Sequence, residues 1–98
     1  MRRCSIVGGA TINYYTIMLY KLTTKRINEE VAESWANNQK HAVERMKTFA
    51  MDLNVYEITA RPMEASKAGN LIPAEDCKWL LLQRLPWQGE NYTITTID

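Results

Sequence analysis

Ninety-eight residues, 46% of them apolar and 23% charged, suffice for one modest core and argue against a disordered chain. Twelve basic against eleven acidic side chains leave a formal charge of +1. That balance excludes an acidic mimic of DNA and the global positive field of a non-specific nucleic-acid binder. Cys4 and Cys77 stand in no paired spacing and read as thiols of a reducing compartment rather than as a disulfide scaffold. No run approaches the roughly 20 apolar residues of a membrane span, and no signal peptide or anchor is read. The expectation is a single domain over residues 1–98, in the cytoplasm.

Residues 1–10 carry little pattern and read as a loose N-terminal end. After Gly8 and Gly9 no glycine or proline appears until Pro62, so the intervening turns must come from polar clusters: residues 23–26, Asn37 with Asn38, and residues 52–54. Residues 11–22 are rich in Ile, Tyr and Thr, with apolar side chains on both faces, and predict a strand near the middle of a sheet. Met18 within it also reads as an alternative start. Residues 27–36 support two readings. As a strand they alternate, with Glu29 and Glu33 sharing the apolar face; as a helix they place Ile27, Val31 and Trp35 in one stripe. A helix continuing to Leu53 would be unusually long, with Asn38 and Gln39 interrupting its seam, so an exposed, twisted strand is preferred.

Asn37 or Asn38 then caps a helix over residues 38–52, whose inner face is Ala42, Val43, Met46, Phe49, Ala50 and Leu53. Beyond a short turn the period changes to two over residues 55–61. Tyr56, Ile58 and Ala60 point one way and Glu57, Thr59 and Arg61 the other, and Pro62 closes the strand. Residues 63–70 read as a polar connector. Pro73, Glu75 and Asp76 resemble the first turn of a short helix with Cys77, Leu80, Leu81 and Leu85 inside; a strand over residues 79–85 competes, but that run lacks β-branched residues. A turn at residues 87–90 leads into a strand over residues 92–97. The fold class expected is α+β: a small antiparallel sheet with one principal helix packed on it, a β-β-α-β core followed by a C-terminal helix and strand.

Catalytic signatures are absent. His41 is the only histidine, which removes two-histidine zinc sites and mechanisms. Glu29, Glu30, Glu33 and Asp76 read as solvated surface acids, and Gly8-Gly9 lacks the lysine and helix of a phosphate loop. No catalytic or metal-binding residue is assigned, no cofactor is expected, and the chain reads as a non-enzyme. Recognition fits the composition better. Three tryptophans and five tyrosines are many large rings for a small core, and Trp, Tyr and Arg are the usual interface anchors. The partner-binding candidates are Arg61 and Thr59 on the outward strand face, Trp87 in an exposed turn, Trp35, and Lys25 and Arg26 in the basic first part of the chain. The partner expected is a larger protein or a ribonucleoprotein complex. The alternative is a small nucleic-acid-binding regulator using Lys21, Lys25 and Arg26 with stacking tyrosines.

The order strand, strand, capped helix, strand, with Trp35-Ala36 before the helix, Ala42 and Met46 in it and Ile58-Thr59-Ala60-Arg61-Pro62 at the end, resembles a known family. It is the small inhibitor of bacterial RNA polymerase encoded by T7-like phages; the likeness covers residues 19–62. Small single-layer inhibitors of CRISPR complexes show a similar pattern. In the polymerase inhibitors two arginines alternate on the last strand and contact the polymerase. Arg61 matches one of these, and Thr59 stands at the position of the other. The resemblance implies a compact, non-enzymatic binder of host machinery from a phage or mobile element.

Overall fold

A computed structural model describes residues 19–75 and 77–98. The elements are β1 (Leu19–Arg26), β2 (Val31–Ala36), α1 (Gln39–Phe49), β3 (Val55–Ala65), β4 (Leu71–Pro73), β5 (Trp79–Gln83) and β6 (Thr93–Ile97). All six strands form one antiparallel sheet in the order β2-β1-β3-β5-β6, with β4 also paired to β3. The chain is thus an α+β fold with one sheet and one main helix. The expected β-β-α-β core is present.

The 11 residues of β3 form its central strand. One side borders β1; the other borders β5 near its start and β4 at its end. Pro62 lies inside β3 and does not end it. Arg84 donates its backbone N–H to the Tyr56 carbonyl, and Ala74 donates to that of Pro62, so the even-numbered residues of β3 turn their backbone groups toward β5 and β4. Proline cannot return the bond to the Ala74 carbonyl, so the ladder between β3 and β4 has one bond fewer there, and β3 continues because β1 pairs along its other side as far as Met63.

The helix begins where the Asn38 side chain accepts the His41 backbone N–H at 2.8 Å, satisfying one of the donors a helix start leaves free. Its inner face packs on β1, β2 and β3. Ala42, Met46 and Ala50 meet Leu22, Ala36, Val55, Ile58, Ala60, Leu80 and Leu82 in the core, with Tyr20, Val43, Phe49, Tyr92 and Ile94 half-buried around it. Leu53, expected to continue the helical seam, is 63% exposed, because the helix has already ended in the turns that lead to Val55.

Three other expectations are corrected. The turn expected at residues 23–26 is strand: Thr24 is buried against the helix side, and residues 23–25 pair with β2 and β3 at once. The hairpin turn falls instead just after Arg26, so residues 27–36 are an exposed strand only from Val31. The C-terminal helix does not form; residues 79–83 are β5. Burial of Leu80 and Leu82 on the helix side of the sheet outweighs the weak helical preference of a leucine-rich run. Leu81 lies on the other side, and Leu85 is exposed. Cys77 is buried and disulfide-bonded, against the expectation of separate thiols. Of the strand expected at residues 11–22, residues 19–22 lie in β1; its residues 11–18, the loose end at residues 1–10, Met18, Cys4 and Asp76 lie outside the described residues.

Arg84 joins the pieces. It is 7% exposed, and its guanidinium donates to the carbonyls of Ala50, Asp52, Val55 and Glu90, with 2.8 Å to Val55 and 3.2 Å to Asp52. The cation also lies 5.7 Å from the Tyr92 ring centroid. Arg84→Lys keeps the charge but not the planar fork, so it should lower unfolding free energy by about 2 kcal/mol, read by urea denaturation. A change under about 0.5 kcal/mol would show that these carbonyls are as well served by water.

Candidate functional site

Side chains alternate across each strand, so the register fixes what the face away from α1 carries. Trp35 lies opposite Lys21, Lys21 opposite Arg61, and Trp79 opposite Ile97. The Arg61 guanidinium sits 5.1 Å from the Trp79 ring centroid, which joins the two halves into one row across the sheet. The next row is Glu33, Thr23, Thr59, Leu81 and Thr95. A third row is Val31, Lys25, Glu57, Gln83 and Thr93. Among the described residues no element packs over these rows, and Trp35 and Arg61 are exposed.

Charges on this face are largely paired. Lys21 meets Glu33 at 3.1 Å and Lys25 meets Glu57 at 3.3 Å. Arg61 has no carboxylate partner among the described residues; the Trp79 face holds it instead. Four of the six expected binding residues, Trp35, Thr59, Arg61 and Lys25, therefore share one surface. Arg26 and Trp87 do not join them.

Arg26 turns toward the end of the sheet where the connections meet. Its Nε donates to Asp52 Oδ2 at 3.0 Å, Asp52 Oδ1 accepts the Asn54 backbone N–H at 2.9 Å, and the Ile27 N–H reaches the Asn54 carbonyl at 2.9 Å. The hairpin is thereby fastened to the turn after α1. Within the hairpin, Arg26 N–H pairs with the Glu30 carbonyl and Glu29 N–H with that of Arg26, leaving Glu29 at φ +70°. That left-handed position closes a three-residue hairpin and ordinarily favours glycine. Beside it, Ile27, Leu53, Tyr56 and Leu85 wall an open groove of about 770 Å³, with the edge of Arg84 beneath. Trp87 stands 78% exposed in the 3-10 turn Pro86–Gln88, which the Gln88 side chain holds by accepting the Leu85 N–H at 2.8 Å.

No known protein family, curated protein or solved structure matches the chain. Function must be argued from these two surfaces. His41 lies in a smaller cleft on the outer side of α1 with Glu44, Arg45, Thr48 and Phe49. Among the described residues no three His, Cys, Asp or Glu side chains gather as a metal site, and no helix is long and apolar enough to cross a membrane.

Trp79 is not legible in the sequence as a member of this surface, because a helix over residues 73–85 does not set it beside Thr59 and Arg61. Once β5 is read with period two, Trp79 and Leu81 fall on the side of Thr59 and Arg61. The groove is not legible there either: its walls come from three separate connections, each unremarkable by itself.

Asp52 titrates below its usual range, first because it accepts the Asn54 N–H and then because of the Arg26 hydrogen bond. A depressed folded-state pKa stabilises the fold above the unfolded value and loses that contribution as pH falls through the folded value. The Asp52 carboxyl should therefore show an NMR midpoint under 3.8. Asp52→Asn should flatten the acid side of the stability profile, and a midpoint at the ordinary value would remove the argument. Relief of the Glu29 backbone should make Glu29→Gly more stable by about 1 kcal/mol in urea denaturation.

Proposed function

We propose that the chain is a non-catalytic binding protein that docks the open face of its sheet on a larger protein or ribonucleoprotein assembly. It acts as an inhibitor or adaptor, encoded by a phage or mobile element, on the machinery of a bacterial host. The observation that carries this reading is the row Trp35, Lys21, Arg61 and Trp79, exposed at Trp35 and Arg61 and set on paired strands. Tryptophan and arginine are the residues most often found as energetic anchors of interfaces. Here the indole of Trp79 holds the guanidinium in place before contact, and strand backbones lose little freedom on docking. The outermost strand β2 adjoins the row and exposes Val31 and Trp35, so a partner can add contacts along that edge.

The ion pairs favour a protein surface over nucleic acid. Lys21, Lys25 and Arg26, which a nucleic-acid regulator would use, each already face a carboxylate, of Glu33, Glu57 and Asp52. Neutralised in this way they release few counterions from a phosphate backbone.

Affinity capture from bacterial lysate, with and without nuclease, tests the reading. The expected result is a stoichiometric protein complex that survives nuclease and whose affinity falls at least about tenfold in Arg61→Ala and Trp35→Ala, with unfolding midpoints near that of the parent. Retention of oligonucleotide alone, weakening steeply with salt, would replace this reading with the regulator.

A further inference from the structure

The connections β1 to β2, α1 to β3 and β5 to β6 meet at one end of the sheet, and all three expose large apolar side chains. Ile27 (66%), Leu53 (63%), Tyr56 (40%) and Leu85 (42%) wall the groove. Trp87 (78%) stands between Pro86 and Gly89, which also line it. With large side chains offering about 150–250 Å² each when free, these five expose roughly 600 Å². That is the upper end of what a monomer leaves in one patch and approaches the roughly 800 Å² that each partner contributes to a standard interface.

We propose that a second copy of this chain occupies the groove, in a two-fold dimer in which Trp87 of each copy fills the groove of the other. A protruding indole beside an apolar groove on one surface is self-complementary: a two-fold axis near Pro86 makes both contacts with a single operation. The 770 Å³ groove has ample room for an indole. Charge points to the same occupant. Arg26 is neutralised by Asp52, and Arg84 directs its donors to backbone carbonyls, so the groove offers little field to an acidic peptide or an anionic membrane. A chain of net charge +1 repels its own copy weakly. Glu29 completes the site. It lines the groove, has no ion-pair partner among the described residues, and holds a backbone conformation that glycine would adopt at lower cost. Its carboxylate supplies the acceptor that a buried indole N–H requires.

Sedimentation equilibrium of the full chain, from micromolar to near-millimolar concentration, tests the proposal. The expected result is a concentration-dependent dimer. Trp87→Ala, which removes the knob, and Leu53→Lys, which blocks the groove, should each weaken it at least tenfold while circular dichroism shows the fold intact. An equimolar mixture of the two variants should recover part of the association, because the mixed dimer keeps one indole in one groove. Glu29→Gly should weaken the dimer although it stabilises the fold. Trp35→Ala and Arg61→Ala should dimerise like the parent, so failure of this proposal and failure of the partner-binding reading are separate results. A chain that stays monomeric throughout, or a dimer unaffected by Trp87→Ala and Leu53→Lys, would overturn it.

Discussion

The guanidinium of Arg84 is the constraint on which this end of the molecule depends. The carbonyls of Ala50, Asp52, Val55 and Glu90 belong to the helix end, the turn after it, the first residue of β3 and the connector before β6. These groups need donors once the core closes around them. A single planar cation with a forked donor set serves all four, and the negative end of the α1 dipole favours its charge. The side-chain parity of β5 delivers it: Leu80 and Leu82 point under the helix, and Arg84, two residues on, points the same way just past the last strand pair. These carbonyls and the Tyr92 ring, rather than a carboxylate hydrogen bond, hold the cation. Asp52 remains available for Arg26 and so for the hairpin.

The second constraint is coverage. A helix is about 10–12 Å across with its side chains, whereas five strands spaced about 4.8 Å apart span roughly 20 Å. One helix of 11 residues packs on β1, β2 and β3 and cannot also wrap the far side of the sheet. The face that no described element covers must therefore be compatible with water while keeping the strands in register. It achieves this with cross-strand pairs, Lys21 with Glu33 and Lys25 with Glu57, and with threonines between them. Exposed pairs of this kind contribute little stability. Their consequence is positional: with the lysines engaged, Arg61 is the cation of this face that no described carboxylate holds.

Local pattern made the cap, α1 and the first part of β3 legible. Asn38 as a cap, the spacing of Ala42 and Met46 and the alternation of Ile58 and Ala60 each report on neighbours within a few residues. Features set by distant partners were hidden. Pro62 reads as a strand end because nothing local says that Ala74 donates to its carbonyl and that β1 pairs along its other side. Residues 79–83 read as helical because leucine suits either state, and only the pairing with β3 decides. Thr24 looks like a turn residue until β3 pairs beside it. The same division holds for the candidate binding residues. Thr59, Arg61 and Trp35 were placed by period alone, whereas Arg26 and Trp87 depend on contacts across 26 residues of sequence or more, or on a turn whose neighbours are remote.

The two surfaces lie on opposite sides of the sheet, which gives their separation a physical consequence. Tyr56 and Arg84 have the parity of the helix side, so the groove they line opens there, whereas Trp35 and Arg61 belong to the other side. The proposed dimer, joined through the groove, does not use the face that carries Trp35 and Arg61. Two such faces on one rigid body meet a repetitive or two-fold target with an effective concentration set by the body itself rather than by a linker. The strained Glu29 then acquires a reason at the level of the assembly. The hairpin forgoes about 1 kcal/mol that glycine would return, and in the proposed dimer its carboxylate is the acceptor for the indole of a second copy.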